Sequence, residues 1–402
     1  MPATMPAVDF DPRIPERTNL KSLTGMRPFA ALLVFFIHIL QPFDPIKPTG
    51  PINPFGDQDV AKGLQDFFAP AGYMGVSFFF LLSGFILTWS LRPGDRVTHY
   101  LRRRLVKIFP NHLVTWGVAL VLFAGAYAPV SAWLSSLFLV NSYSTDAALQ
   151  MGVNPPAWSL CSELLFYMLF PLALFAVSRI PVKRLWLWAG AMVGCTVGVG
   201  LVTTYLITDT PKNPIIPLSM TQMWFNYTFP PMRLFEFILG MLLARIVMSG
   251  RWPRIGAVPV LSLLVAGYAA ALYVPAPFNF VSATIIPFGV AIAAVASADI
   301  RGARTYLDGR FMVWLGNVSF GFYMCQGIVV FWGRPALLGT ATYSTPVAVL
   351  VALGFFLATL LAGWLLHTLV EKPAMRRWSK ARRTPPRRDP AAPREVEHAS
   401  AG

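Results

Sequence analysis

Met26–Leu40 reads MRPFAALLVFFIHIL. It is an apolar run with an arginine near one end and a histidine near the other. On an α-helix, Arg27 and His38 are separated by ~16 Å of rise and only ~20° of rotation, so both side chains share one face. Ionisable groups inside a membrane-length helix are costly. They face a bundle interior or a wet cavity, and by default they mark a functional site. The rest of the chain reads as a scaffold that gives this face its cavity.

Of 402 residues, 55% are hydrophobic and 13% charged. A soluble domain carries nearer a quarter charged residues. Repeated apolar runs of spanning length make the chain an all-α, polytopic membrane protein, and the short alternating strands of a membrane β-barrel are missing. About ten spans are expected, near 24–42, 72–91, 108–128, 156–177, 185–207, 231–249, 256–274, 280–298, 311–332 and 347–370. With the N-terminus in the cytoplasm, about 28 of the 33 Lys and Arg fall on the inner side. The outer set is Lys47, Lys62, Lys212, Arg233 and Arg334. An odd number of spans would scramble this asymmetry, so both termini are predicted to be cytoplasmic. Residues 1–19 read as a disordered tail, 20–371 as the transmembrane domain and 372–402 as a basic disordered cytoplasmic tail.

The net charge of +15 suits anionic lipid head groups and phosphate-bearing cytosolic ligands. Nucleic acid fits poorly, because only the tail is locally basic. No basic segment leads directly into an apolar one at the N-terminus, so no cleavable signal peptide is expected. Cys161, Cys195 and Cys325 sit in apolar runs without metal-type spacing and read as small buried hydrophobes. Residues 41–71 and 129–155 are long outer loops that can form a binding surface or lid. Within the second, 133–140 is too short to span and reads as an interfacial or re-entrant segment.

Three further stretches and two spaced pairs carry chemistry. Gly75–Leu91, GVSFFFLLSGFILTWSL, has Gly75, Ser77, Ser83 and Gly84, small residues that let helices approach closely. Tyr100–Pro110, YLRRRLVKIFP, puts three arginines and a lysine beside a span. These either anchor topology or clamp phosphate, since Arg forks bind phosphate oxygens bidentately. Asn154–Tyr167, NPPAWSLCSELLFY, opens a span with a cap and first turn at Asn154, Pro155 and Pro156, and places Glu163 about two turns in. Spans one and four run in opposite directions, so Glu163 and His38 are expected at similar depth as a His–carboxylate pair. Arg233 and Glu236 are spaced for a pair within one helix, and so are His367 and Glu371.

These residues resemble the integral-membrane acyltransferases called acyltransferase family 3, over about 20–378. The family's first-span arginine and histidine fall on Arg27 and His38. Its second-span wording is Gly75–Ile86. Its arginine motif falls on Arg103, Arg104 and Lys107, followed by Ile108–Pro110. Its WSLxxE motif falls on Trp158, Ser159, Leu160 and Glu163, with Phe166 and Tyr167 after it. RLFEFILGM, WLGNVSFGFYM and VEKP match further on. Spans two and three look closest to the actinomycete branch, which includes macrolide and other natural-product O-acyltransferases. Two departures stand out. Lys107 keeps the charge of the arginine motif and loses its fork. Gln326 stands where many relatives have histidine, and it cannot titrate.

The resemblance implies an O-acyltransferase of the cell membrane, multi-pass, that moves an acyl group from acyl-CoA, its co-substrate, to a hydroxyl of a sugar, macrolide or cell-envelope glycan. No tightly bound cofactor or metal is expected. His38 would be the general base and Glu163 its orienting carboxylate. Arg27, Arg103, Arg104 and Lys107 would hold the donor phosphates. Trp158, Ser159, Tyr167, Arg233, Glu236 and Gln326 complete the candidate set. Ser159 is a conceivable acyl carrier, with a hydrogen bond at the helix start as its simpler role. The rival class is a transporter or flippase for such compounds, which would favour symmetry-related halves. The sequence has no clear internal repeat.

Overall fold

A computed structural model describes residues 4–6, 11–12, 18–44, 50–91, 94–213 and 216–379. Among the described residues the regular structure is helical, with isolated bridges and no strand. The main helices are α1 (Lys21–Ile39), α2 (Gln58–Trp89), α3 (Val97–Leu122), α4 (Trp158–Ser178) and α5 (Leu185–Leu206). They are followed by α6 (Leu234–Met248), α7 (Ala257–Tyr273), α8 (Ile285–Ile300), α9 (Arg310–Gln326), α10 (Thr345–Leu366) and α11 (Lys372–Trp378). Each of the ten expected spans falls on one of α1–α10.

Among the described residues, seven helical stretches are long and apolar enough to cross a membrane, which makes this a polytopic helical membrane protein. The other three expected spans fall on α6, α7 and α8, of 15, 17 and 16 residues. These are shorter than the ~20 residues that a hydrocarbon core asks for.

The second helix begins at Gln58, well before the expected residue 72. The reason is local. Asp57 caps it, accepting from the backbone N–H of Asp59 and Val60 at 3.0 and 3.1 Å. Lys62 and Asp66 add an i,i+4 pair at 2.6 Å. The polar half of the expected 41–71 loop is therefore helix.

Helix α2 is the centre of the bundle and packs most closely against α6 and α1. Gly84 makes this possible. A Cβ there would lie 1.9 Å from the Phe237 carbonyl oxygen, and one on Gly240 would lie 2.0 Å from that of Leu81. The two backbones touch, as the small residues predicted. Aromatic rings fill the space beside the contact. Phe166 stacks on Phe237 at 4.7 Å, and Phe80 meets Phe166 edge-on at 5.1 Å.

Other expectations change. Arg233 and Arg334 are core residues rather than outer-loop charges, at 1% and 0% exposure. Arg334 donates to the carbonyls of Gly339 and Ala341. The expected disorder of residues 1–19 meets two pinned points. Met5 is buried, with its N–H on the Asp95 carbonyl, and the Asp11 N–H reaches that of Met248. Residues 1–3, 7–10 and 13–17 lie outside the described set, as do Lys47, Arg92 and 380–402. The expected disordered tail starts as the helix α11. In the 129–155 loop, Val130–Leu137 is a short helix, and Val130, Leu134, Phe138 and Val140 around it face outward, which suits an interfacial segment.

Candidate active site

His38 lies one residue from the end of α1 and lines a cavity of about 420 Å³. The bundle supplies Val34 and Ile37 beside it, Tyr73 and Val76 of α2, Trp158 of α4 and Tyr323 of α9. The roof comes from three loops, through Phe43 and Asp44, Gln150 and Met151, and Met220, Met223 and Tyr227. Both long loops expected on the outer side thus reach the cavity, with Asn213, Ile216 and 220–228 as a third contributor that sequence reasoning missed. The walls are mostly apolar and include six aromatic rings and three methionines. Such a surface takes a bulky apolar body and orients it with a few polar groups.

The imidazole of His38 is held by Gln326. Its Nδ1 lies 2.6 Å from Gln326 Oε1, and the Phe331 ring packs on it at 4.8 Å. The expected pair with Glu163 is not formed. Glu163 instead accepts from Tyr167 Oη at 3.4 Å, and its charged neighbours are Arg27, Lys107 and Arg104. Helix α4 starts too deep for the pairing. Its first residue, Trp158, already lies in the cavity wall with His38. Glu163 is five residues further on, ~7 Å along the axis. It therefore belongs to the Arg27 end of the α1 face.

The deep start has a visible cause. Asn154 does not cap the helix. Its Nδ2 donates to the Met324 carbonyl at 3.2 Å. Tyr323 Oη donates to the Pro156 carbonyl at 3.0 Å and sits 2.9 Å from Ser159 Oγ. Ser159 itself donates to Pro156 at 3.1 Å, the helix-start bond expected of it. The α9 helix thus pulls the head of α4 into the bundle.

Two of the four expected clamp cations have carboxylate partners. Arg103 is paired with Asp95, and Lys107 with Glu371. Glu371 further accepts from Asn111 Nδ2 at 3.0 Å, and His367 Nδ1 lies 3.4 Å away, as its spacing predicted. Arg27 and Arg104 have no carboxylate in ion-pair range among the described residues. Each has a buried Nε without a hydrogen-bond partner. Arg104 lies over the rings of Tyr100 and Tyr167 at 5.7 and 5.9 Å, and Arg27 over Phe79 at 5.9 Å. Unsatisfied buried donors of this kind fit an anionic ligand. Glu371 was visible in sequence only as a partner of His367, and its pairing with Lys107 crosses between helices.

Arg233 and Glu236 pair as their spacing predicted, at 3.0 Å and fully buried. Arg233 also donates to Ser77 Oγ at 2.9 Å and lies over Tyr227 at 4.8 Å. The pair ties α6 to α2 and supports Tyr227 behind the cavity wall.

Comparison with known proteins places this arrangement. The acyltransferase domain family matches residues 20–368. Acyltransferase MdmB of Streptomyces mycarofaciens is 38% identical over 388 residues, covering 94% of this chain and 97% of that protein. Exopolysaccharide production protein ExoZ of Rhizobium meliloti is 25% identical over 333 residues, covering 78% and 92%. Nodulation protein 10 of Rhizobium leguminosarum is 28% identical over 167 residues, covering 36% and 44%. No solved structure matches. With its α1 histidine on a cavity, its cationic cluster and a family match over nearly the whole bundle, the chain belongs to the acyltransferase domain family and is a membrane-embedded acyltransferase.

Proposed function

We propose that this enzyme is a ten-span O-acyltransferase of the cell membrane, with both termini in the cytosol, acyl-CoA as donor and a hydroxyl as acceptor. The carrying observation is His38 on the cavity wall, with Arg27 on the same α1 face. Arg27 and Arg104, with their unpartnered Nε atoms, would hold the donor phosphates. The pantetheine arm would then run up the α1 face toward His38, ~16 Å away. The cavity reaches down α1 to Val34, so the arm has to thread the remaining ~10 Å between α1 and α4.

In this reading the acceptor hydroxyl enters the cavity. His38 takes its proton as the oxygen attacks the thioester carbonyl. The tetrahedral intermediate collapses, the coenzyme A thiolate leaves, and the imidazolium returns the proton to that sulfur. The ester is the product. A positioned base of this kind contributes ~10²–10⁴-fold. The aromatic and methionine lining favours an acceptor with a large apolar body, such as a macrolide, over a bare glycan chain. The transporter reading loses its support with membership of an acyltransferase family.

The test incubates purified protein with labelled acyl-CoA and a panel of macrolide and oligosaccharide acceptors. His38→Gln keeps size and hydrogen bonding but cannot act as the base. It is expected to bind acyl-CoA normally and to lose most turnover. Wild-type kcat in a folded, donor-binding His38→Gln protein would remove His38 from the chemistry.

A further inference from the structure

We propose that Gln326 is a positioning residue that fixes the tautomer of His38, holding the proton on Nδ1 and leaving Nε2 unprotonated as the basic nitrogen. This rests on the reading of His38 as the base. It assigns a role that the His38–Glu163 pair was expected to fill.

The chemistry follows from one contact. An amide oxygen carries no hydrogen and can only accept. The 2.6 Å separation between Gln326 Oε1 and His38 Nδ1 therefore places a proton on Nδ1. In a neutral imidazole the other nitrogen then keeps its lone pair. The orientation of the amide is set by its second group, since Gln326 Nε2 donates to the Ala31 carbonyl at 3.4 Å. A flipped amide would bring its oxygen onto that carbonyl. Gln326 is fully buried, so water does not compete for Nδ1. The Phe331 ring against the imidazole limits rotation about its side-chain torsions.

A triad carboxylate does two things: it fixes the tautomer and it stabilises the imidazolium. A neutral amide does the first and little of the second. The proton must therefore pass onward to the leaving sulfur rather than rest on the ring. Gln326 and Tyr323 are three residues apart on α9, so one helix face both orients the base and walls the cavity.

The test uses the full-length protein in detergent with ¹⁵N-labelled histidine, and His38→Gln to assign the His38 signals. In the wild type, Nδ1 should be the protonated nitrogen and Nε2 the bare one. Gln326→Met, of similar size but without an acceptor, should show a mixture of tautomers. Its kcat should fall on the order of 10- to 100-fold with KM for both substrates unchanged, less than the ~10⁴-fold reported by loss of a carboxylate orienter. Gln326→Glu restores an acceptor and should recover most of that kcat. A wild-type spectrum with the proton on Nε2 overturns the proposal whether or not any variant folds. Wild-type kcat in Gln326→Met overturns it too, provided His38→Gln is inactive. If His38→Gln instead keeps its kcat, the base reading fails, and the spectrum alone reports on Gln326.

Discussion

Replacing Lys107 with methionine should destabilise the protein more than it loosens the donor. Lys107 Nζ is paired with Glu371, whose side chain is only 5% exposed, while that of Lys107 is 26% exposed. Breaking a fully buried pair from one side strands the other charge and costs about 3–5 kcal/mol. Here the stranded carboxylate keeps Asn111 and the nearby His367, and Lys107 is a quarter exposed. The expected cost is therefore about 2–3 kcal/mol. The double variant Lys107→Met/Glu371→Gln removes both charges and should regain part of it, giving a coupling of at least about 1 kcal/mol. The assay is denaturant unfolding in a mild detergent for wild type, both single variants and the double variant. Donor KM is measured in parallel. A coupling below about 0.5 kcal/mol, with a roughly tenfold rise in donor KM from Lys107→Met alone, would refute this assignment and return Lys107 to the phosphate clamp.

Arg104→Ala removes a cation without a carboxylate partner among the described residues and should weaken acyl-CoA binding by about 1.5–3 kcal/mol, roughly 10- to 150-fold; unchanged affinity by calorimetry would take Arg104 out of the clamp. Glu163→Gln should act on stability and donor KM and leave kcat within about tenfold, because Glu163 sits among Arg27, Lys107 and Arg104. A kcat loss as large as that of His38→Gln would reinstate the His38–Glu163 pair. Gly240→Val should cost about 3 kcal/mol or more, since a Cβ would lie 2.0 Å from the Leu81 carbonyl oxygen. A wild-type unfolding midpoint for that variant would mean that α2 and α6 are not in backbone contact.

What was legible in the sequence lies within single helices. The shared face of Arg27 and His38 follows from 3.6 residues per turn and needs no knowledge of neighbours. The Arg233–Glu236 and His367–Glu371 pairs follow from i,i+3 and i,i+4 spacing and are present. The glycines of α2 announce a close crossing, and Gly84 makes one. The pairing that is absent, His38 with Glu163, required knowing how deep one helix sits against another. The depth of α4 is set by α9, through Asn154 on the Met324 carbonyl and Tyr323 on that of Pro156. Neither contact leaves a mark in the local pattern around Glu163. The same contacts bring Tyr323 to the cavity, and Gln326 one turn on meets His38.

The arginine motif makes the point about charge. Counting cations along 100–110 suggests a uniform basic patch at the mouth of α3. Two of its members face carboxylates that the chain brings from elsewhere, Asp95 for Arg103 and Glu371 for Lys107. Those pairs fasten α3 to the α2–α3 loop and to the turn that joins α10 to α11. Arg102 is exposed on the outside of α3, so the partly buried cations that remain for an anion are Arg104, from the middle of the motif, and Arg27, from another helix. Both are neighbours of Glu163, which lies outside ion-pair range, and of the Tyr167 ring. In the acyl-CoA reading proposed above, an incoming phosphate would meet two guanidinium groups that no carboxylate holds in an ion pair among the described residues.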